Sequence, residues 1–295
     1  GRVPVLLVLG DDGGGLEANY HGTVMLEQML RGMWPGLLEQ LQQADILRVH
    51  ALRPNDVPEL EEAFRRFEQG PYKIAGLFHE IIIMNYAGRL LTPAFLQRAY
   101  ALCQAHDVPT VCDEIQSCMW APHFFQFREH GLQPSVVVVG KGFPGGEYPA
   151  SRVLFTGALD GLPQFGALVT NGQEELASLA YLITMAWGRA NADAVRALGD
   201  RYEARLRAFA AQYPEIIERI DGTRHLCTLC FHDLHVATRF AARLVERGFD
   251  TSAQTYKATC PPAVMLKLPI IVGPEAIDCV ITRLQEAMAA VAVAA

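Results

Sequence analysis

Short apolar runs alternate with segments of helical period along this chain. Continuous runs such as SVVVVG and LFHEIII suit strands buried on both faces, as in a mostly parallel sheet. The pattern predicts strands over Val3–Leu9, Ile74–Ile83, Thr110–Asp113, Ser135–Val139 and Ser151–Thr156. Amphipathic stretches lie between them. One begins at Pro58 (PELEEAFRRFEQG), where proline suits a first turn and Gly70 a stop. Another begins at Thr92 (TPAFLQRAYALCQAHD), with a threonine cap and a proline after it. Beyond about residue 190 the texture changes to a long helical pattern (Ala192 to Gln212), the strand HLCTLCF, a helix near His235–Arg247, a strand Val264–Val272 and a helix from Pro274. The expected fold is α/β: a mostly parallel sheet flanked by helices over residues 1–190, then a smaller α+β domain over 191–295.

Composition narrows the function classes. With 295 residues, 51% of them hydrophobic, the chain can build a large domain and a small one, each with its own core. A net charge of -7 leaves no basic face and argues against a nucleic-acid partner. No apolar run approaches the roughly 20 residues that span a bilayer. The alanine-rich end from Ala287 reads as the close of an amphipathic helix, so no membrane partner is expected. The chain starts at Gly1 without a methionine and enters a strand almost at once, which reads as a fragment whose upstream part is missing. Seven cysteines fit free thiols in a reducing cytoplasm better than a disulfide framework. Cys227 and Cys230 form a CxxC on a strand, where they point to opposite faces, and no second Cys or His pair follows at zinc spacing. No metal is expected.

The chemistry concentrates in Pro109–Gly146, which contains PTVCDEIQS and PSVVVVGKGFPGG. Functional side chains of parallel sheets gather just past the carboxyl ends of strands. Asp113 and Lys141 both occupy such positions, one helical crossover apart, so an acid and an amine are expected in one crevice. That pairing suits pyridoxal phosphate (PLP), which needs a lysine for its aldehyde and a carboxylate for its pyridine nitrogen. Gly140 and Gly142 leave room around the lysine. The bland alternative is that Asp113 caps a helix and Lys141 ends a strand.

The segment FHEIIIMNYAG, LTPAFLQRAYALCQAHDVPTVCDEIQS, GKGFPGG resembles the class III, ornithine- and GABA-type, aminotransferases. The resemblance implies a fold-type I PLP enzyme working as a homodimer on a small-molecule amino donor and a keto acceptor. It implies that Asp113 pairs with the pyridine nitrogen, Ile115 packs on the ring, Gln116 reaches the ring hydroxyl and Lys141 is the Schiff-base lysine and proton shuttle. Tyr20, His21 and Gly22 resemble the family's Tyr-His-Gly, whose aromatic ring stacks on the other face. Thr170 resembles the threonine that binds the phosphate in the neighbouring subunit. Glu80 resembles a strand-end glutamate beside the substrate.

Three departures bear on activity. The family's phosphate-binding loop lies upstream of the strand where this chain begins, and GDDGGG at Gly10–Gly15 reads as a flexible insertion whose acids would repel a phosphate. Met265 falls where the family has a carboxylate-gripping arginine, which leaves Lys267, on the same strand face, as the candidate anchor. The run IIIMNYAG has lost the family's polar character. Aminomutase, epimerase and decarboxylase chemistry would use the same Lys141 and Asp113, and a non-catalytic homologue acting as a binding partner is the reading from a different class.

Overall fold

The structure, a computed structural model, describes residues 1–13, 15, 29, 33–34, 36–143, 145, 148, 150–163, 166, 174–254 and 260–292, residue 292 without its side chain. In chain order its elements are β1 (Val3–Leu9), α1 (Leu37–Gln43), β2 (Arg48–Leu52), α2 (Val57–Phe67), β3 (Tyr72–His79), β4 (Ile82–Ile83), β5 (Arg89–Leu90), α3 (Pro93–Ala105), β6 (Thr110–Asp113), α4 (Gln126–Glu129), β7 (Val136–Val139), β8 (Arg152–Phe155), α5 (Glu175–Ala210), β9 (Ile217–Thr223), β10 (Leu226–Phe231), α6 (Leu234–Val245), β11 (Ala263–Lys267) and α7 (Pro274–Ala292). Two compact units result. The first comprises Gly1–Ile81, Leu91–Met119 and His123–Ala190, and the second Ile82–Leu90, Trp120–Pro122 and Asn191–Ala295.

The first unit is built on a six-stranded sheet of order β2-β1-β3-β6-β7-β8, parallel except for the last pair. Its central strands are rich in apolar residues, as strands covered on both faces require. Val5, Leu7 and Leu9 of β1, Ile74 and Leu77 of β3 and Val139 of β7 are buried. The helices begin where local chemistry supplies an acceptor. Asp56 caps α2 by accepting from Glu59 N at 2.9 Å, and Thr92 caps α3 by accepting from Phe95 N at 3.3 Å.

Several boundaries differ from the pattern. The apolar run Ile74–Ile83 is two strands: β3 ends at His79, and Ile82–Ile83 pairs instead with Arg89–Leu90 in a hairpin of the second unit. That hairpin turns through Ala87 and Gly88, both with left-handed φ (54° and 66°). β11 stops at Lys267, two residues before Pro269, which has no N–H for a ladder. The long helix begins at Glu175 rather than Ala192. Gly10–Gly15 is no flexible insertion in its described residues. Asp11 is buried, and its Oδ1 accepts from Gly13 N at 2.9 Å and Gly15 N at 2.7 Å, an aspartate closing a turn on itself.

The second unit has an antiparallel sheet of order β11-β10-β9. α6, α7 and the latter part of α5 pack with it around Phe209, Phe231, Phe240, Leu244 and Leu284. Cys227 lies in this core, whereas Cys230 belongs to a separate cluster with Ala87 and Ala263, as opposite faces of one strand require. Mid-helix Gly199 has a steric reason. A Cβ there would come within 2.8 Å of His225 Cδ2 and of Arg224 Cβ. Only a bare glycine lets the buried His225 ring reach Val195 O at 2.9 Å, while its Nδ1 meets Leu268 O at 3.1 Å.

Two expectations follow. Gly199→Ala gains about 1 kcal/mol of helix propensity, yet the clash is expected to lower stability by about 1–3 kcal/mol, read as a lower urea midpoint. In the first unit, burial pushes the pKa of His79, fully enclosed against Tyr100, down to about 4. A depressed histidine stabilises the fold above its unfolded value of about 6.5. That contribution, about 3 kcal/mol in all, is lost as pH falls from about 6.5 towards 4. Urea titrations at pH 7.5 and 5 should differ, and less so in His79→Gln.

Candidate active site

β6 and β7 run parallel in the register Val111↔Val136, Cys112↔Val137, Asp113↔Val138. Glu114 N continues the ladder by donating to Val138 O at 2.9 Å. Asp113 therefore ends one strand, and Gly140 and Lys141 leave the next at the same edge of the sheet. β3 pairs with β6 through His79↔Cys112, which brings Glu80 level with Asp113. The sheet thus gathers Glu80, Asp113, Ile115, Gln116 and Lys141 along one edge.

Their surroundings differ. Glu80 and Asp113 are buried, each at 3% exposure, whereas Lys141 is exposed. Asp113 Oδ1 accepts from Ile115 N at 3.0 Å, which turns the chain sharply after β6. Lys141 itself has a left-handed φ of 49°, followed by Gly142, around which a Cβ would find open space. Gly140 is the reverse case. A Cβ on it would lie 3.1 Å from both Ile115 Cγ1 and Ser151 Cβ, so glycine is what lets the lysine turn close on the β6 loop. Cys118 Sγ donates to Gly140 O at 3.4 Å beneath that turn. Phe143, one step further, packs with Phe124, Phe125 and Tyr181.

Glu114 carries no expectation from the sequence pattern, although Ser117, three residues on, is the clue to its place. It is fully buried, with Oε2 accepting from Ser117 Oγ at 2.7 Å and Oε1 from Phe127 N at 2.8 Å. Burial raises its pKa to about 7, against the pull of those donors.

Tyr20, His21, Gly22 and Thr170 lie outside the described residues. Lys267 is the exposed last residue of β11 in the second unit, with Met265 half-buried two positions before it. A cleft of about 1030 Å³ lined by Tyr100, Thr110, Ser135 and Thr156 opens at the opposite edge of the sheet and holds none of the predicted site residues. Among the described residues no group of three His, Cys, Asp or Glu is placed to hold a metal, and no helix is long and apolar enough to cross a membrane.

The family model for class III aminotransferases matches residues 16–288. The chain belongs to that family. It is 27% identical over 216 residues to the ornithine aminotransferase of Bordetella pertussis, covering 70% of this chain and 50% of that one. It is 32% identical over 148 residues to the acetylornithine aminotransferase of Agrobacterium fabrum, covering 46% and 35%. The ornithine aminotransferase structure from Toxoplasma gondii ME49 superposes with a TM-score of 0.77 at 20% identity, over 100% of this chain and 66% of that one. A second structure of the Toxoplasma gondii enzyme, with partial occupancy of PLP at its active site, gives a TM-score of 0.76 at 21% identity, over 98% and 65%. These likenesses establish fold type I. The chain spans about half the length of the ornithine aminotransferase it matches and about two thirds of the solved structures.

The residues present fit the family's cofactor. An exposed primary amine with open space at Gly142 stands at the strand end next to a buried carboxylate, the donor set that PLP's aldehyde and ring nitrogen require.

Burial also pushes the Cys118 thiol up to about 12 and Cys112 well above its ordinary range, so neither forms a reactive thiolate near neutrality. Maleimide labelling of the native protein at pH 8, mapped by mass spectrometry, should modify exposed Cys279 and spare both until urea unfolds the chain.

Proposed function

We propose that this chain is the catalytic part of a PLP-dependent aminotransferase that moves an amino group from an amino acid or amine donor to a keto or aldehyde acceptor. The observation that carries the reading is the Asp113–Lys141 pair, a buried acid and an exposed amine at neighbouring parallel strand ends in a class III chain. Lys141 would hold the cofactor through Nζ. Asp113 would face its ring nitrogen, Ile115 one ring face and Gln116 the ring hydroxyl. Tyr20, His21 and Gly22 would cover the other face. When bound, PLP supplies an electron sink for the bond broken at the substrate carbon.

The chain's own residues do the rest. Lys141 would carry the migrating proton on Nζ, in a turn followed by Gly142, around which a Cβ would find open space. Asp113, whose Oδ1 accepts from Ile115 N, would face the ring nitrogen from a fixed position at the sheet edge. Glu80, level with Asp113, and Lys267 are the substrate-side candidates, Lys267 as a point-charge anchor for a carboxylate. The homodimer, with Thr170 serving the neighbouring subunit, belongs to the same proposal. It is supported by Leu176, Leu179, Leu182 and Ile183, exposed at helical spacing on the first turns of α5. Buried free thiols support a reducing, cytoplasmic setting.

Borohydride reduction of the PLP-loaded protein, followed by peptide mass mapping, should fix the cofactor on Lys141 and nowhere in Lys141→Ala. Amino transfer from a labelled donor should vanish in that variant and fall at least about 100-fold in Asp113→Asn. Cofactor attachment without labelled product from any keto acid would overturn the transaminase reading in favour of a mutase, epimerase or decarboxylase. A wild-type protein that takes up no cofactor would overturn the PLP reading itself.

A further inference from the structure

We propose that Glu114 is a positioning residue, whose buried carboxyl group ties Ser117 and Phe127 to the end of β6 and so fixes Ile115 against Gly140, and with it the neighbouring Gln116. The inference rests on the PLP reading for what Ile115 and Gln116 do, and on geometry for the rest.

The loop from Ile115 to Phe125 leaves β6 and returns at α4. Its outgoing end carries the two residues assigned to the cofactor ring, and it has little regular structure of its own to hold them. Backbone bonds close the first turn: Ser117 N and Cys118 N both donate to Glu114 O, at 3.1 and 2.8 Å. The Glu114 side chain makes the longer connection. One oxygen takes the Ser117 hydroxyl, the other the Phe127 amide thirteen residues along the chain, so a single carboxyl group clamps both ends of the loop. Its fully buried position keeps water from replacing either donor. The clamped loop presents Ile115 to Gly140, which is why a Cβ there would meet Ile115 Cγ1 at 3.1 Å.

The charge is not what the clamp requires. The groups acting on Glu114 are its donors Ser117 and the Phe127 and Gln126 amides, Asp113 beside it, the Cys112 and Cys118 thiols and the Tyr100 phenol from α3; the donors favour ionisation and Asp113 opposes it. A neutral carboxyl group serves equally: its carbonyl oxygen accepts from Phe127 N, and its hydroxyl bonds to Ser117 Oγ. A glutamine amide reproduces that arrangement, which separates positioning from charge.

The test compares Glu114→Ala, Glu114→Gln and Ser117→Ala in the intact protein. PLP affinity is measured by fluorescence titration, and amide hydrogen exchange is followed in the cofactor-free protein. Glu114→Ala should weaken PLP binding about 10-fold or more and lose exchange protection at Ser117, Cys118 and Phe127. Glu114→Gln should restore both to within a few-fold of wild type, and Ser117→Ala, which removes one bond only, should fall between them. Should Glu114→Ala fail to fold, the Ser117→Ala and Glu114→Gln comparison carries the test. Wild-type affinity and protection in Glu114→Ala would overturn the proposal. So would a loss in Glu114→Gln equal to that in Glu114→Ala, because charge and not position would then matter. If the wild type binds no PLP, the reading of function fails, and the exchange data alone decide whether the clamp exists.

Discussion

Everything at the candidate site depends on the parallel pairing of β6 with β7. Parallel strands place their carboxyl ends at one edge, and the hydrogen-bond register decides which residues stand level there. With Asp113 against Val138 and Glu114 N bonded to Val138 O, the acid ends β6 three residues short of the level of Lys141, which leaves the neighbouring strand at the same edge of the sheet. A slip of one residue would turn Asp113 to the other face of the sheet. Both strands are short and apolar, so the register is held by burial of Cys112, Val137, Val138 and Val139 and by the capping bonds beyond them.

The edge brings two carboxylic acids, Asp113 and Glu114, into neighbouring buried positions, and the surroundings give them different work. Asp113 meets a backbone donor two residues on, at the carboxyl end of β6. Glu114 points into the interior and is consumed by the loop. Burial costs a carboxylate its hydration, and its donors, Ser117 and the Phe127 and Gln126 amides, offset only part of that cost, so its pKa is raised to about 7.

The second unit shows the same economy in an apolar setting. β10 is buried on both faces, and its two cysteines enter different clusters as small buried residues. Gly199, a poor helix former by itself, is tolerated in α5 because the buried His225 ring occupies the space a side chain would need.

From the sequence alone the strands β1, β6, β7 and β8 were legible to within a residue, because continuous apolar runs between turn residues admit few other readings. The placement of Asp113 and Lys141 at neighbouring strand ends was legible too, since each follows directly on an apolar run. What local pattern could not show was where apolar character passes from one unit to another: Ile74–Ile83 reads as one strand, yet His79 ends in the parallel sheet and Ile82 begins a hairpin elsewhere. The early start of α5 stayed hidden for a related reason, since its first turns expose leucines that periodicity would bury. Aspartate turns escape a reading of charge, so Asp11 looked repulsive and proved to be a tie. Glu114 needed the tertiary structure most. Its partner Phe127 lies thirteen residues away, and only the folding of the loop back onto the sheet edge brings that amide to its carboxyl group.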